Sequence, residues 1–119
     1  MNVAVLGASG KPDRYSNRAV KKLLENGHKV FPIHPILPEI EGIPVSAKLG
    51  DVPEPIDTIT VYLSPENSNA VAGDIINSKA RRVIFNPGTE NPVLAGSLQM
   101  KGIYVVHACT LVLLETGQF

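Results

Sequence analysis

Four consecutive apolar residues closed by a glycine, Val3-Ala4-Val5-Leu6-Gly7, constrain this chain more than any other feature. A strand with one wet face alternates apolar and polar residues. An unbroken apolar run marks a strand covered on both faces, as in a parallel sheet. A parallel strand needs a crossover to reach its neighbour. The segment that follows, GASGKPDRYSNRAV from Gly7 to Val20, supplies a tight turn and then a helix start. Ser16 or Asn17 is expected to cap that helix. Val20, Leu23 and Leu24 recur at helical spacing, and Asn26-Gly27 ends it.

The same alternation runs through the rest of the chain. Lys29 to Ile33 reads as a second strand, closed by His34-Pro35 because a residue before proline is pushed away from helical geometry. A proline-rich excursion from Pro35 to Pro55 is expected to hold a short strand near Val45 and one helical turn near Leu49. Ile56 to Leu63 is the third strand. Ser64-Pro65-Glu66 then starts a helix that runs to about Lys79 with Val71, Ile75 and Ile76 inward. Arg82 to Asn86 is the fourth strand, and Pro87-Gly88-Thr89 turns into a helix from roughly Asn91 to Lys101. Ile103 to Val106 is the fifth strand, and Thr110 to Glu115 is either a last helix or a strand. The expected architecture is α/β: a Rossmann-like three-layer sandwich with a five-stranded parallel sheet and right-handed crossovers, in one domain over residues 1–119.

Open sheets of this kind take ligands past the carboxyl ends of their strands, where strand order reverses. That edge gathers the loops Gly7 to Tyr15, His34-Pro35, Leu63 to Pro65, Asn86 to Thr89 and His107 to Thr110. The first loop is the best anion site. A strand turning tightly into a helix leaves backbone N–H groups free at the positive end of the helix dipole, and Lys11, Arg14 and Arg18 add charge there. Residues 1 to 34 hold six of the eleven basic groups and two of the eleven acidic ones, although the whole chain is neutral. A local patch on a neutral chain suits a small phosphorylated ligand and not a nucleic acid. Lys21 and Lys22 solvate a helix face. No apolar run reaches the roughly 20 residues that cross a bilayer, and the start lacks the basic region of a signal peptide. Cys109 is the single cysteine, which excludes an internal disulfide and a cysteine-based metal cluster. A cytoplasmic protein without a membrane partner is expected.

The ligand class can be narrowed. An NAD site carries G-x-G-x-x-G and a carboxylate after the second strand. Here Gly7 and Gly10 give G-x-x-G, Lys11-Pro12-Asp13-Arg14 crowd the helix start, and His34-Pro35 stand where the carboxylate belongs. A neutral or basic group there tolerates a phosphorylated ribose, which leaves NADP and coenzyme A.

The stretch from Ala8 to Asn17 resembles the S-x-K-P-x-R-x-S segment of the small, stand-alone CoA-binding domain family, which is similar to the N-terminal domain of the succinyl-CoA ligase alpha subunit. The resemblance continues through Val30-Phe31-Pro32-Ile33-His34-Pro35, Glu41-Gly42-Ile43-Pro44-Val45 and the segment from Leu49 to Asp57, LGDVPEPID. It implies a domain that holds CoA or acyl-CoA in an extended pose across the sheet edge. Ser9, Lys11, Pro12 and Arg14 would line the phosphates, His34 and Pro35 the adenosine end, and Leu63, Ser64 and Pro65 the ligand path. Gly7, Ala8, Tyr15, Ser16 and Asn17 complete the first loop. Asn86, Pro87, Gly88 and Cys109 complete the far end. The chain has His34 where the family usually has asparagine. It keeps only the cysteine of a common arginine-cysteine-proline run.

Other residues have plainer readings. His107 reads as a hydrogen-bonded structural histidine, Cys109 as a small buried hydrophobe despite its place near the ligand thiol, and Asp13 as an ion-pair partner for a neighbouring arginine. Thr89-Glu90 read as helix-start residues. Tyr62 either stacks on a base or packs in the core. The functional expectation is a CoA or acyl-CoA binder without catalysis of its own. The alternatives are an NADP-dependent oxidoreductase or a CoA-ligase fragment completed by a partner subunit, and a sensor module that reads CoA and responds through its oligomeric state.

Overall fold

A computed structural model describes residues 1–119. In chain order the elements are β1 (Asn2–Leu6), α1 (Tyr15–Glu25), β2 (Lys29–Ile33), β3 (Glu39–Ile40), β4 (Ile43–Pro44), a 3₁₀ turn (Leu49–Asp51), β5 (Thr58–Val61), α2 (Pro65–Ala70), α3 (Ala72–Asn77), β6 (Arg82–Phe85), α4 (Pro92–Met100), β7 (Tyr104–His107) and α5 (Thr110–Glu115). Five strands form one parallel sheet in the order β2-β1-β5-β6-β7. The fold is Rossmann-like α/β. The winding reverses between β1 and β5, so the crevice past their carboxyl ends is where a ligand is expected.

The two faces of β1 show why an unbroken apolar run was needed. Ala4 and Leu6 enter one core cluster with Ile59, Val61, Ile75, Phe85 and Leu98, whereas Val3 and Val5 enter another with Val20, Leu23, Val30 and Leu114. Side chains alternate along a strand, so α2, α3 and α4 cover one face and α1 and α5 the other. Leu23, Ile59, Ile75, Phe85 and Leu98 are fully buried. Each contributes about 1.5–3 kcal/mol of transfer free energy. Pro32 sits in β2, an edge strand, where its missing N–H is tolerated.

The structure corrects several local expectations. Ser16 and Asn17 do not cap α1. The helix starts earlier, Arg14 holds the N-cap position, and no side chain caps it. The helix expected from Ser64 to Lys79 is two helices, because Val71 leaves helical geometry at φ −116° and ψ 16°. Asn, Ser and Gly around it are weak helix formers, and Val71 itself is packed on the core. The short strand expected near Val45 is one arm of a two-stranded hairpin, β3–β4. Its turn puts Glu41 (φ 52°) and Gly42 (φ 76°) in the left-handed region. Glu41 Oε2 accepts a hydrogen bond from Asn17 Nδ2 at 3.2 Å, which ties the hairpin to α1. After the hairpin, Ser46 pairs with the end of β2: its N–H donates to Pro32 O and its carbonyl accepts from the His34 N–H, both at 3.1 Å. The last segment, Thr110 to Glu115, is a helix and not a strand.

Candidate functional site

The crevice begins at Gly7. Its φ of +87° lies in the region open to glycine, and a Cβ there would stand 2.9 Å from Leu63 Cδ2 and 3.0 Å from Tyr62 C and O. Both conformation and close approach to the chain after β5 require a glycine at this point. The Tyr62 N–H donates to Leu6 O at 2.8 Å and the Ala8 N–H to Ile33 O at 3.2 Å, so three strand ends are fixed together.

The loop beyond Gly7 is braced internally. Ser9 Oγ accepts from the Lys11 N–H at 3.1 Å, the Ser9 carbonyl accepts from Asn17 Nδ2 at 2.9 Å, and the Arg14 N–H donates to Lys11 O at 3.1 Å. The start of α1 carries no side-chain cap and no acidic residue in its first turn. Lys11, Arg14 and Arg18 have no carboxylate within 4.0 Å; the ion pairs of the chain are Lys21–Glu41, Lys29–Glu54 and Arg81–Asp57. The Arg18 guanidinium lies 5.3 Å from the Tyr15 ring centre. Free amide donors and unpaired cations therefore face one cavity of about 410 Å³, lined by Gly7, Ser9, Lys11, Arg14, Tyr15, Ser16 and Tyr62. Asn17 is fully buried beneath the loop, and its Oδ1 has no partner.

Two more cavities flank this one. The first, about 490 Å³, shares Gly7 and has an apolar floor of Leu6, Ala8, Ile33, Leu49 and Leu63, with His34, Pro35, Lys48, Asn67 and Asp74 among its other walls. His34 Nδ1 accepts the N–H groups of Ile36 at 3.1 Å and Leu37 at 3.0 Å. In the neutral ring this places the proton on Nε2. The second, about 220 Å³, shares Tyr15 and Tyr62 and is completed by Asn86, Pro87 and Cys109. Shared walls make one groove along the carboxyl edge of the sheet.

Tyr62 links the parts. Its ring lines both the central and the far cavity, while its hydroxyl is buried without a hydrogen-bond partner. Burial pushes the phenol up to about 12 and the neighbouring Cys109 adds to the rise. The Thr60 and Thr110 hydroxyls, bonded to each other at 2.8 Å, pull the other way. Asn86 organises the floor beneath. Its Nδ2 donates to Thr60 Oγ1 at 2.7 Å and to Val61 O at 2.9 Å, and its Oδ1 accepts from the Thr110 N–H at 2.8 Å.

A wider opening of about 600 Å³ at the amino ends of the strands is also basic, with Lys79, Arg81 and Lys101. Its helical contributors are Ile76 and Asn77, at the carboxyl end of α3, and α4 stops at Met100, just before Lys101. Helix carboxyl ends disfavour anions, so charge alone does not make it a rival. No group of three or more His, Cys, Asp and Glu side chains is placed to hold a metal ion, and no helix is long and apolar enough to cross a membrane.

A family model described as a CoA binding domain matches residues 1–115. The chain belongs to this CoA-binding family. It is 28% identical over 116 residues to the uncharacterized protein YneT of Bacillus subtilis (strain 168), covering 91% of this chain and 86% of that one. A solved structure of an uncharacterized protein superposes with a TM-score of 0.93 at 37% identity, covering 99% of this chain and 97% of the other. A hypothetical protein from Pyrococcus horikoshii OT3 gives 0.91 at 28% identity, covering 96% and 81%.

Within this CoA-binding domain most of the residues expected from sequence face the groove. Pro12, Asn17, Ser64, Pro65 and Gly88 do not line it. Asn17 braces the loop from below. Ser64 Oγ accepts from the Asn67 N–H at 3.4 Å as the cap of α2, and Pro65 is its first residue. Gly88 turns the chain with φ +88° and donates its N–H to Glu90 Oε1 at 2.9 Å. The plainer readings need correction too. His107 makes no side-chain hydrogen bond: its ring is exposed and stacks on Phe85 with centroids 5.6 Å apart. Cys109 is partly exposed on the groove instead of buried. Asp13 pairs with no arginine. Sequence reasoning missed Lys48, Asn67 and Asp74, which reach the groove only because the excursion and α2–α3 pack beside β1.

Proposed function

We propose that this domain binds CoA or acyl-CoA in an extended pose along the groove and performs no chemistry by itself. The diphosphate sits in the central cavity on the free N–H groups of the α1 start, between Lys11 and Arg14. The adenosine lies on the apolar floor beside His34-Pro35, and the pantetheine arm runs between Tyr15 and Tyr62 toward Cys109. The observation that carries this reading is the start of α1, uncapped and without an acidic residue in its first turn, beside two cations without carboxylate partners. Phosphate takes amide donors and guanidinium together. His34 is committed to its turn through Nδ1, and no hydrogen bond joins it to Asp74 across the cavity.

Isothermal titration of the full chain with CoA, acetyl-CoA and NADP tests this reading. Saturable one-to-one binding of CoA or acetyl-CoA, tighter than NADP, supports it. Heat from NADP alone would transfer the site to the dinucleotide alternative. Chromatography of acetyl-CoA incubated with the protein checks the second half: the thioester is expected to survive intact.

A further inference from the structure

Resting on the coenzyme reading above, we propose that Lys48 recognises the phosphate on the 3′-hydroxyl of the coenzyme's ribose and so sets preference for CoA over its 3′-dephosphorylated form. The groove carries two separated cationic centres, one on each side of Gly7. Lys11 and Arg14 face the central cavity, and Lys48 lines the apolar one. A ligand with a single anionic centre would use only the first. CoA carries a diphosphate and, at its nucleoside end, a second phosphate.

Lys48 is the one lysine or arginine among the residues of the apolar cavity. No carboxylate lies within 4.0 Å of its ammonium group. Its backbone is fixed. Ser46 is paired to the end of β2 through Pro32 and His34, and the Lys48 carbonyl accepts from the Asp51 N–H at 3.0 Å. The flexible stem therefore starts from a set point beside His34-Pro35, while the compact ammonium charge suits a phosphate monoester. Asp74 lines the same cavity from α3 without pairing to the lysine. Its carboxylate repels a phosphate on the helical side and leaves the Lys48 side as the favourable place.

The test is titration of CoA and 3′-dephospho-CoA into the wild type, Lys48→Gln and Lys48→Arg. The wild type is expected to prefer CoA by roughly tenfold. Lys48→Gln should bring the two ligands within about twofold by weakening CoA alone, and Lys48→Arg should restore the preference. The assignment is overturned if Lys48→Gln keeps the preference, if it weakens both ligands equally, or if the wild type shows no preference. Failure of the wild type to bind either ligand would instead remove the coenzyme reading, and this assignment with it.

Discussion

Gly7 lies flat against the backbone of Tyr62, with room for a hydrogen and none for a methyl group: an added Cβ would meet the Tyr62 carbonyl carbon and oxygen at 3.0 Å. The contact joins the first loop to the end of β5 at the reversal point of the sheet. Gly7→Ala adds a positive-φ penalty and a backbone clash. It is expected to destabilise the fold by about 2–3 kcal/mol and to weaken CoA binding by moving the loop. Urea unfolding and titration of the variant check both effects.

Arg14 occupies an N-cap position at which its side chain cannot accept a hydrogen bond. Aspartate there can. Arg14→Asp should therefore stabilise the protein by about 1 kcal/mol while reducing CoA binding by more than roughly tenfold through loss of the guanidinium and repulsion of phosphate. Opposite signs in the melting temperature and the affinity would show that the cap is left open for a ligand. A variant that is both less stable and unchanged in affinity would show that Arg14 serves the fold.

His34 does with Nδ1 what an asparagine side-chain oxygen does in a turn of this shape, accepting the N–H groups two and three residues on. His34→Asn is expected to fall within about 0.5 kcal/mol of wild type, with CoA affinity retained. His34→Ala leaves both donors without their acceptor and should lose about 1 kcal/mol. Chemical denaturation of the pair reads the turn, and CoA titration of His34→Asn distinguishes a turn residue from a ligand-contacting imidazole, which asparagine could not replace.

Asn86 closes a buried network under the far cavity. Asn86→Ala leaves the Thr110 N–H, the Thr60 hydroxyl and the Val61 carbonyl short of partners. A loss of about 3 kcal/mol is expected, read as a lower urea midpoint with an unchanged slope.

His28 makes stability depend on pH. Its pKa is held below the ordinary 6.5 by burial first, then by the amino terminus and Arg82. The amino group of Met1 lies 3.2 Å from its Nδ1. The unfolded chain therefore takes up a proton as pH falls through 6.5 while the folded chain resists. Stability is full above that value and is lost between it and the lower folded value. The melting temperature should fall as pH drops from 7.5 toward 5.5, and His28→Gln should flatten that part of the curve.

Much of this fold was legible because buried parallel strands are unbroken apolar runs and the turns between them carry glycine or proline. Val3 to Leu6 and Lys29 to Ile33 stand where the pattern put them, and the strand expected from Arg82 to Asn86 ends one residue sooner, at Phe85. The hairpin from Glu39 to Pro44 was only half visible, since strands of two residues have no period to read. The break at Val71 was invisible because the apolar spacing continues across it. The cavity at the first loop was legible from local chemistry, glycine and cations beside a helix start. Lys48 and Asp74 were not, because they reach the groove only through packing between segments distant in sequence. Tyr62 stayed ambiguous for a physical reason: its ring lines the groove while its hydroxyl is buried.

The most direct measurement is the change in backbone amide NMR shifts as CoA is added to the labelled chain. The largest changes are expected at Ser9, Lys11, Tyr15 and Ser16, with a second set at Tyr62 and Lys48. Saturable changes confined to Lys79, Arg81 and Lys101 at the opposite edge of the sheet, or no changes at millimolar CoA, would contradict the account.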